Sequence, residues 1–211
     1  MKIGKMVRKM AGPLEPMLAN AYREFFFDVD GFADEVAKLG EVDQVVEIGC
    51  GEGALITSLA KRMPKTRFLG VDVCAEVGRL FEGDKDRVQF RCADAQVIVD
   101  EGRVLADLVI VCDVMHHVPV EQRHAVWDAA TKLAKPSGRI VFKEWLKQGT
   151  PIYWVGYASD RYITGDEIQY ETKSDWMCQM SAQAPGWGVV GEMKLRPWRT
   201  NHAFVLERTA G

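Results

Sequence analysis

Val45-Val46-Glu47-Ile48-Gly49-Cys50-Gly51-Glu52-Gly53 is the stretch on which the reading of this chain turns. An apolar run stops at glycines in alternate positions, and a helix-like stretch from Ala54 to Met63 follows. Strand, glycine turn and helix in that order let backbone approach a nucleotide-sized ligand closely. The helix's unpaired N–H groups and positive dipole end are aimed at the same place. Further on, Arg67-Phe68-Leu69-Gly70-Val71-Asp72 predicts a second strand ending in an acid, where a carboxylate can accept from both ribose hydroxyls. The glycines are a weak signal alone; with Asp72 they indicate a nucleoside-bearing ligand.

The chain has 211 residues, enough for one domain with a substantial core. It is 47% apolar and 27% charged, an ordinary globular composition. A net charge of −3 disfavours an electrostatic grip on nucleic acid, so no nucleic-acid partner is expected. No apolar run approaches the ~20 residues that cross a bilayer. The basic start (Lys2, Lys5, Arg8, Lys9) runs into Gly12, Pro13, Glu15 and Pro16 instead of an apolar leader core, so a cytoplasmic location is expected. The five cysteines match no zinc spacing and read as reduced, packed thiols.

Leu14 to about Leu39 has helical spacing, with Asp30-Gly31 as a break into two helices. Strands are expected at 43–48, 67–72, 88–92, 106–112 and 139–145. Helices are expected at 53–63, at 75–82, and from Pro119 to about Ala134. Lys135-Pro136-Ser137-Gly138 reads as a turn. After Pro151 an aromatic-rich stretch runs to Tyr170, then Ser174 caps a helix to about Ala184, and strands at 188–195 and 202–208 finish the chain. The alternation predicts an α/β fold, a doubly wound, mostly parallel, Rossmann-like sheet with ligands at the carboxyl ends of its strands.

On these motifs the chain resembles the class I S-adenosylmethionine-dependent methyltransferases of the small-molecule type. Glu47 to Gly53 is similar to their glycine signature, Asp72 to the ribose acid, and Ala93-Asp94-Ala95 to the adenine-contacting acid. Cys112 to Pro119 resembles the strand-four edge, and Leu133 to Arg139 the turn before strand five. The resemblance implies seven strands in the order 3-2-1-4-5-7-6 with strand 7 antiparallel, and S-adenosyl-L-methionine as cofactor. Its binding residues would be Glu47, Gly49, Gly51, Gly53, Asp72, Val73, Asp94, Ala95 and Asp113, with Cys74, Ala93 and Gln96 around the adenine. Residues 1–40 would form an N-terminal helical cap on a methyltransferase domain at 41–211, with an acceptor-binding insertion around 146–172. Asp94 reads equally as a helix cap, and Asp113 as a turn cap.

His116-His117 is the sharpest chemical feature. Adjacent residues at a strand exit point in different directions, so one of them faces the acceptor as a general base, His117 being slightly preferred; alternatively both pack. Glu144 is a further candidate base. A metal would need another ligand that the sequence does not point to, and none is assigned. Tyr22, Tyr153, Trp154, Tyr157 and Arg161, with Asp160 and Tyr162, are candidates to line an apolar acceptor pocket. The reaction expected is methyl transfer to a heteroatom, foremost oxygen, of a small organic molecule, aromatic or apolar, by a monomer or homodimer. Alternatives are a protein- or carbon-directed methyltransferase, a non-catalytic cofactor-binding subunit, and, on Gly49-x-Gly51-x-x-Ala54, an NAD(P)-dependent oxidoreductase.

Overall fold

The computed structural model describes residues 25–102, 104–164, 168–198 and 200–209. Seven strands form one sheet in the order β3-β2-β1-β4-β5-β7-β6: β1 Gln44–Ile48, β2 Arg67–Asp72, β3 Val88–Cys92, β4 Ala106–Cys112, β5 Ala134–Trp145, β6 Trp187–Lys194 and β7 Asn201–Arg208. Strands β1 to β5 pair in parallel, whereas β7 runs antiparallel between β5 and β6. This is the order and sense that the family resemblance implies.

The pleat sorts the strands' side chains into two cores. Val46, Ile48, Val109, Val111, Ile140 and Phe142 face one cluster, completed by Ile98 of α3 (Ala95–Glu101), Trp127 of α4 (Arg123–Leu133) and Trp176 of α6 (Lys173–Gln183). Val45, Leu108, Ile110 and Val141 face the other, covered by α1 (Val29–Ala37) and α2 (Ala54–Arg62) through Phe32, Val36, Ile56 and Leu59. A remaining helix, α5 (Pro151–Ala158), lies between β5 and α6 in the chain and leads into a π turn, Ser159–Thr164.

Four local expectations are corrected. Asp30-Gly31 lies inside α1; the break falls at Asp28, whose side chain caps the helix by accepting from Gly31 N at 2.7 Å. Residues 14–24 of the expected N-terminal helix are outside the described residues. Residues 75–80 form turns instead of a helix, because Gly78 N and Leu80 N bond to Gly51 O (2.9 Å) and Glu52 O (3.0 Å) of the glycine loop. β5 begins at Ala134, its early residues pairing with β4 across a register shift. Thr172, not Ser174, caps α6, in a capping box with Asp175.

Phe142 sits at the centre of the first core, with ring centroids 4.9 Å from Trp127, 5.1 Å from Trp176 and 6.3 Å from Phe204. Phe142→Ala should lower unfolding stability by about 3–5 kcal/mol in a denaturant titration.

Candidate active site at the carboxyl edge of the sheet

The loop after β1 is shaped by the chain's own contacts. Gly49 N bonds Val71 O at 2.7 Å, and its φ of +74° with a Cβ position inside the Val114 side chain requires glycine. Asp72, at the end of β2, accepts from Gly51 N through Oδ2 and from Cys74 N through Oδ1, both at 2.8 Å. Gly53 takes a left-handed conformation and starts α2 without a side-chain cap. Arg79 ties the following turns to Glu52 at 2.6 Å.

Glu47 lies beneath this loop, buried, and its Oε2 has no hydrogen-bond partner. Burial first, and the neighbouring Asp72 second, push its carboxyl pKa up to about 8. On the other side of Asp72, Val73 is 74% exposed, an apolar side chain in the open beside half-buried Cys74. Asp94 is the N-cap of α3, accepting from Gln96 N at 2.8 Å, so the capping reading left open by the sequence describes one of its oxygens. Ala95 is buried at the first position of that helix.

The exits of β4 and β5 bring Asp113, His116 and Glu144 together. Glu144 is fully buried. Its Oε1 accepts from Met115 N at 2.7 Å and its Oε2 meets His116 Nδ1 at 2.6 Å. His116 is buried in the 3-10 turn Met115–His117, whereas His117 is exposed, with its ring 4.0 Å from that of His116. Of the two candidate bases, His116 is the one that meets the Glu144 carboxylate, and His117 lies at the surface. Burial opposes a charged imidazolium there, but Glu144, with Asp113 and Asp160 behind it, outweighs burial and raises the His116 pKa above the ordinary histidine value.

Asp113 has φ +54° and pairs with buried Lys143 at 2.5 Å; the Lys143 ammonium lies 3.8 Å from the Phe27 ring centroid. Ligand atoms of Asp113, His116 and Glu144 lie within 4.8 Å of one another, the spacing of a cation site. Their engagement is against that use: Glu144 spends both oxygens on hydrogen bonds, and Lys143 already neutralises Asp113.

Over this edge sits an aromatic cluster. Trp145, Tyr153 and Tyr170 are buried in it, with Phe26, Ile152, Tyr157 and Trp198 packed alongside. Tyr170 hydrogen-bonds Asp160, and its ring centroid is 4.9 Å from that of His116. Of the sequence candidates, Tyr153 and Tyr157 join the cluster. Trp154 is 61% exposed, although its ring contacts Tyr153, and Arg161 is exposed. Tyr22 and the Tyr162 side chain lie outside what is described.

Sequence reasoning missed Lys143, Arg123, Tyr170 and Glu171. Two of these left a trace. Lys143-Glu144 is a charged pair directly after the apolar run Ile140-Val141-Phe142 of a central strand, and Arg123 precedes Trp127 and Ala130 at helical spacing on a buried stripe.

Residues 45–138 match a family model described as a methyltransferase domain. A tRNA (guanine-N(7)-)-methyltransferase of Lactobacillus gasseri is 30% identical over 110 residues, covering 46% of this chain and 51% of its own. Among solved structures, mitomycin 7-O-methyltransferase MmcR superposes with a TM-score of 0.71 at 15% identity, covering 94% of this chain and 58% of that one. Human N-acetylserotonin methyltransferase in complex with SAM gives 0.64 at 16% identity, covering 98% and 55%. The chain therefore spans about half the length of the curated relative and less than two thirds of these solved chains, whose likeness speaks to the fold. Its sheet order, its glycine loop tied to Asp72 and the methyltransferase-domain match over residues 45–138 together support a class I S-adenosylmethionine-dependent methyltransferase.

Proposed function

We propose that this protein transfers a methyl group from S-adenosyl-L-methionine to an oxygen of a small, flat, largely apolar molecule. The observation that carries the reading is the buried His116–Glu144 pair at the edge shared with the glycine loop, beneath the aromatic cluster. O-methyltransferases among the structural neighbours support the same acceptor chemistry.

The residues present fit the cofactor. A carboxylate has about four acceptor positions, so Asp72 retains two for the ribose hydroxyls after binding Gly51 N and Cys74 N. The unused oxygen of Asp94 is available to the adenine amino group, with exposed Val73 as an apolar wall. Gly51, where an added Cβ would meet nothing within 4 Å, opens onto the methionyl side, and the unpartnered Oε2 of Glu47 suits its ammonium group. When bound, the cofactor supplies an electrophilic methyl on a positive sulfonium, which leaves the protein to align the acceptor and remove its proton.

With Glu144 accepting at Nδ1, neutral His116 carries its lone pair on Nε2, the atom we assign to the acceptor's proton. Tyr153, Tyr157 and the rest of the segment around 146–172 would supply the apolar walls, with Asp160 and Arg161 to orient polar substituents. An RNA acceptor, suggested by the name of the Lactobacillus relative, is less supported, because the chain carries a net charge of −3.

Incubation with methyl-labelled cofactor and a metabolite extract should place label in small molecules; label confined to RNA or protein would overturn the acceptor class. His116→Gln should lower kcat/KM by roughly 10²–10⁴-fold while cofactor affinity is unchanged. Because the base must be neutral, wild-type kcat/KM should rise with pH through a midpoint above the ordinary histidine value. Glu144→Gln removes the charge that favours imidazolium and should move that limb to lower pH. Asp72→Ala should weaken cofactor binding at least about tenfold, roughly 1.4 kcal/mol, by calorimetry.

Glu47 gives a separate pH signature. Below the ordinary pKa of 4.5 it is protonated folded and unfolded alike, whereas between 4.5 and about 8 only the unfolded chain ionises. Cofactor-free protein should therefore lose up to about 1.4 kcal/mol of stability per pH unit across that window relative to Glu47→Gln, as read by denaturation at several pH values. Parallel stability curves for the two proteins would contradict this.

A further inference from the structure

We propose that Arg123 is a positioning residue, whose buried guanidinium locks the turn carrying His116 onto the segment carrying Tyr170 and so fixes the imidazole between Glu144 and the tyrosine ring. The proposal rests on the reading of His116 as the base.

Arg123 opens α4 and is 0% exposed. Its Nε donates to Met115 O at 3.0 Å and to Val118 O at 3.2 Å, the carbonyls that flank the two histidines. Its Nη2 donates to Gln169 O at 2.9 Å and its Nη1 to Glu171 Oε1 at 2.9 Å, the residues that flank Tyr170. One planar group thus brackets the histidine turn on one side and the tyrosine on the other. Gln169 N closes the link by donating to His116 O at 2.9 Å. The guanidinium carbon is 4.8 Å from the Trp176 ring centroid, so an aromatic face lies against the guanidinium as well.

Two physical arguments separate this from ordinary packing. A buried cation is costly, and an apolar side chain of similar volume would stabilise a helix start at least as well, so a buried arginine is better explained by the geometry it imposes. The geometry also demands arginine in particular. Only a rigid fork of five donors reaches carbonyls on two separate segments at once; an ammonium has three donors at a single point. The other groups around the His116 ring are Glu144 from β5, Asp113 from the exit of β4 (itself paired with Lys143), Asp160 from the π turn, and His117 and Tyr170. None of them joins the two segments through backbone carbonyls as Arg123 does.

The test uses the full chain, with the variants Arg123→Lys, Arg123→Ala and Glu171→Gln. The His116 ring is titrated by NMR without acceptor, and kcat and the cofactor KM are measured in parallel. In Arg123→Lys the His116 midpoint should move toward the ordinary histidine value, and kcat should fall at least about tenfold with the cofactor KM unchanged. Guanidinium added to Arg123→Ala should restore part of the lost kcat. Glu171→Gln, which leaves the bonds to Met115, Val118 and Gln169 in place, should shift the midpoint in the same direction by less. An unmoved His116 midpoint in Arg123→Lys and Glu171→Gln overturns the proposal, as does a fall in activity expressed wholly in KM. If Arg123→Lys fails to fold, the Glu171→Gln titration decides alone. A shifted midpoint alongside full turnover in His116→Gln would instead overturn the base reading and leave the positioning role standing.

Discussion

Five parallel strands must end on the same edge of the sheet, and the loops that leave them crowd together there with unpaired backbone amides. Carboxylates set into that edge resolve the crowding. Asp72, closing β2, takes the amides of Gly51 and Cys74; Glu144, near the end of β5, takes the amide of Met115. Each acid therefore fixes a loop first and still has capacity for other work: Asp72 toward a ligand, Glu144 toward the ring of His116. The glycine loop and the histidine turn owe their shapes to the same device on either side of β1 and β4.

Charge at this edge is balanced pair by pair. Asp113 holds a backbone conformation unusual for a residue with a side chain, and the Lys143 ammonium, sheltered under the Phe27 ring, compensates its carboxylate. With Asp113 neutralised in this way, Glu144 is the carboxylate that His116 answers to directly. The same pairing leaves the cluster of two acids and a histidine already engaged with Met115 N, with one another and with Lys143.

Much of this was legible in the chain. The near-continuous apolar runs of β1 and β4 mark central strands covered on both faces, and the glycine spacing with Asp72 points to the carboxyl edge of the sheet. The failures share one cause: partners distant in sequence. Residues 75–80 have helical composition, but their amides are claimed by Gly51 and Glu52 some 27 residues earlier, and turns result. Thr172 and Ser174 are both competent caps, and the reach of Asp175 back to Thr172 decides between them. Nothing local says which of His116 and His117 meets a carboxylate; Glu144, 28 positions away, pairs with His116. Arg123 sits where a helix normally spends a charge on solvent, and only the fold shows that its neighbours are Gln169 and Glu171.

The segment before α1 and the hairpin at the far end of the chain are clasped. Trp198 Nε1 donates to Phe25 O at 2.5 Å, Asn201 Nδ2 to Phe26 O at 2.7 Å, and Asp28 N to Arg196 O at 3.0 Å. The sequence separation of the first of these pairs is 173 residues. On the ribosome, the early segment thus emerges long before its anchor exists, and it cannot seat until the last two strands have been synthesised and β7 has slotted in beside β5. A nascent chain halted short of β7 would carry its glycine loop without this clasp, so the aromatic roof closes only after the antiparallel edge of the sheet is in place.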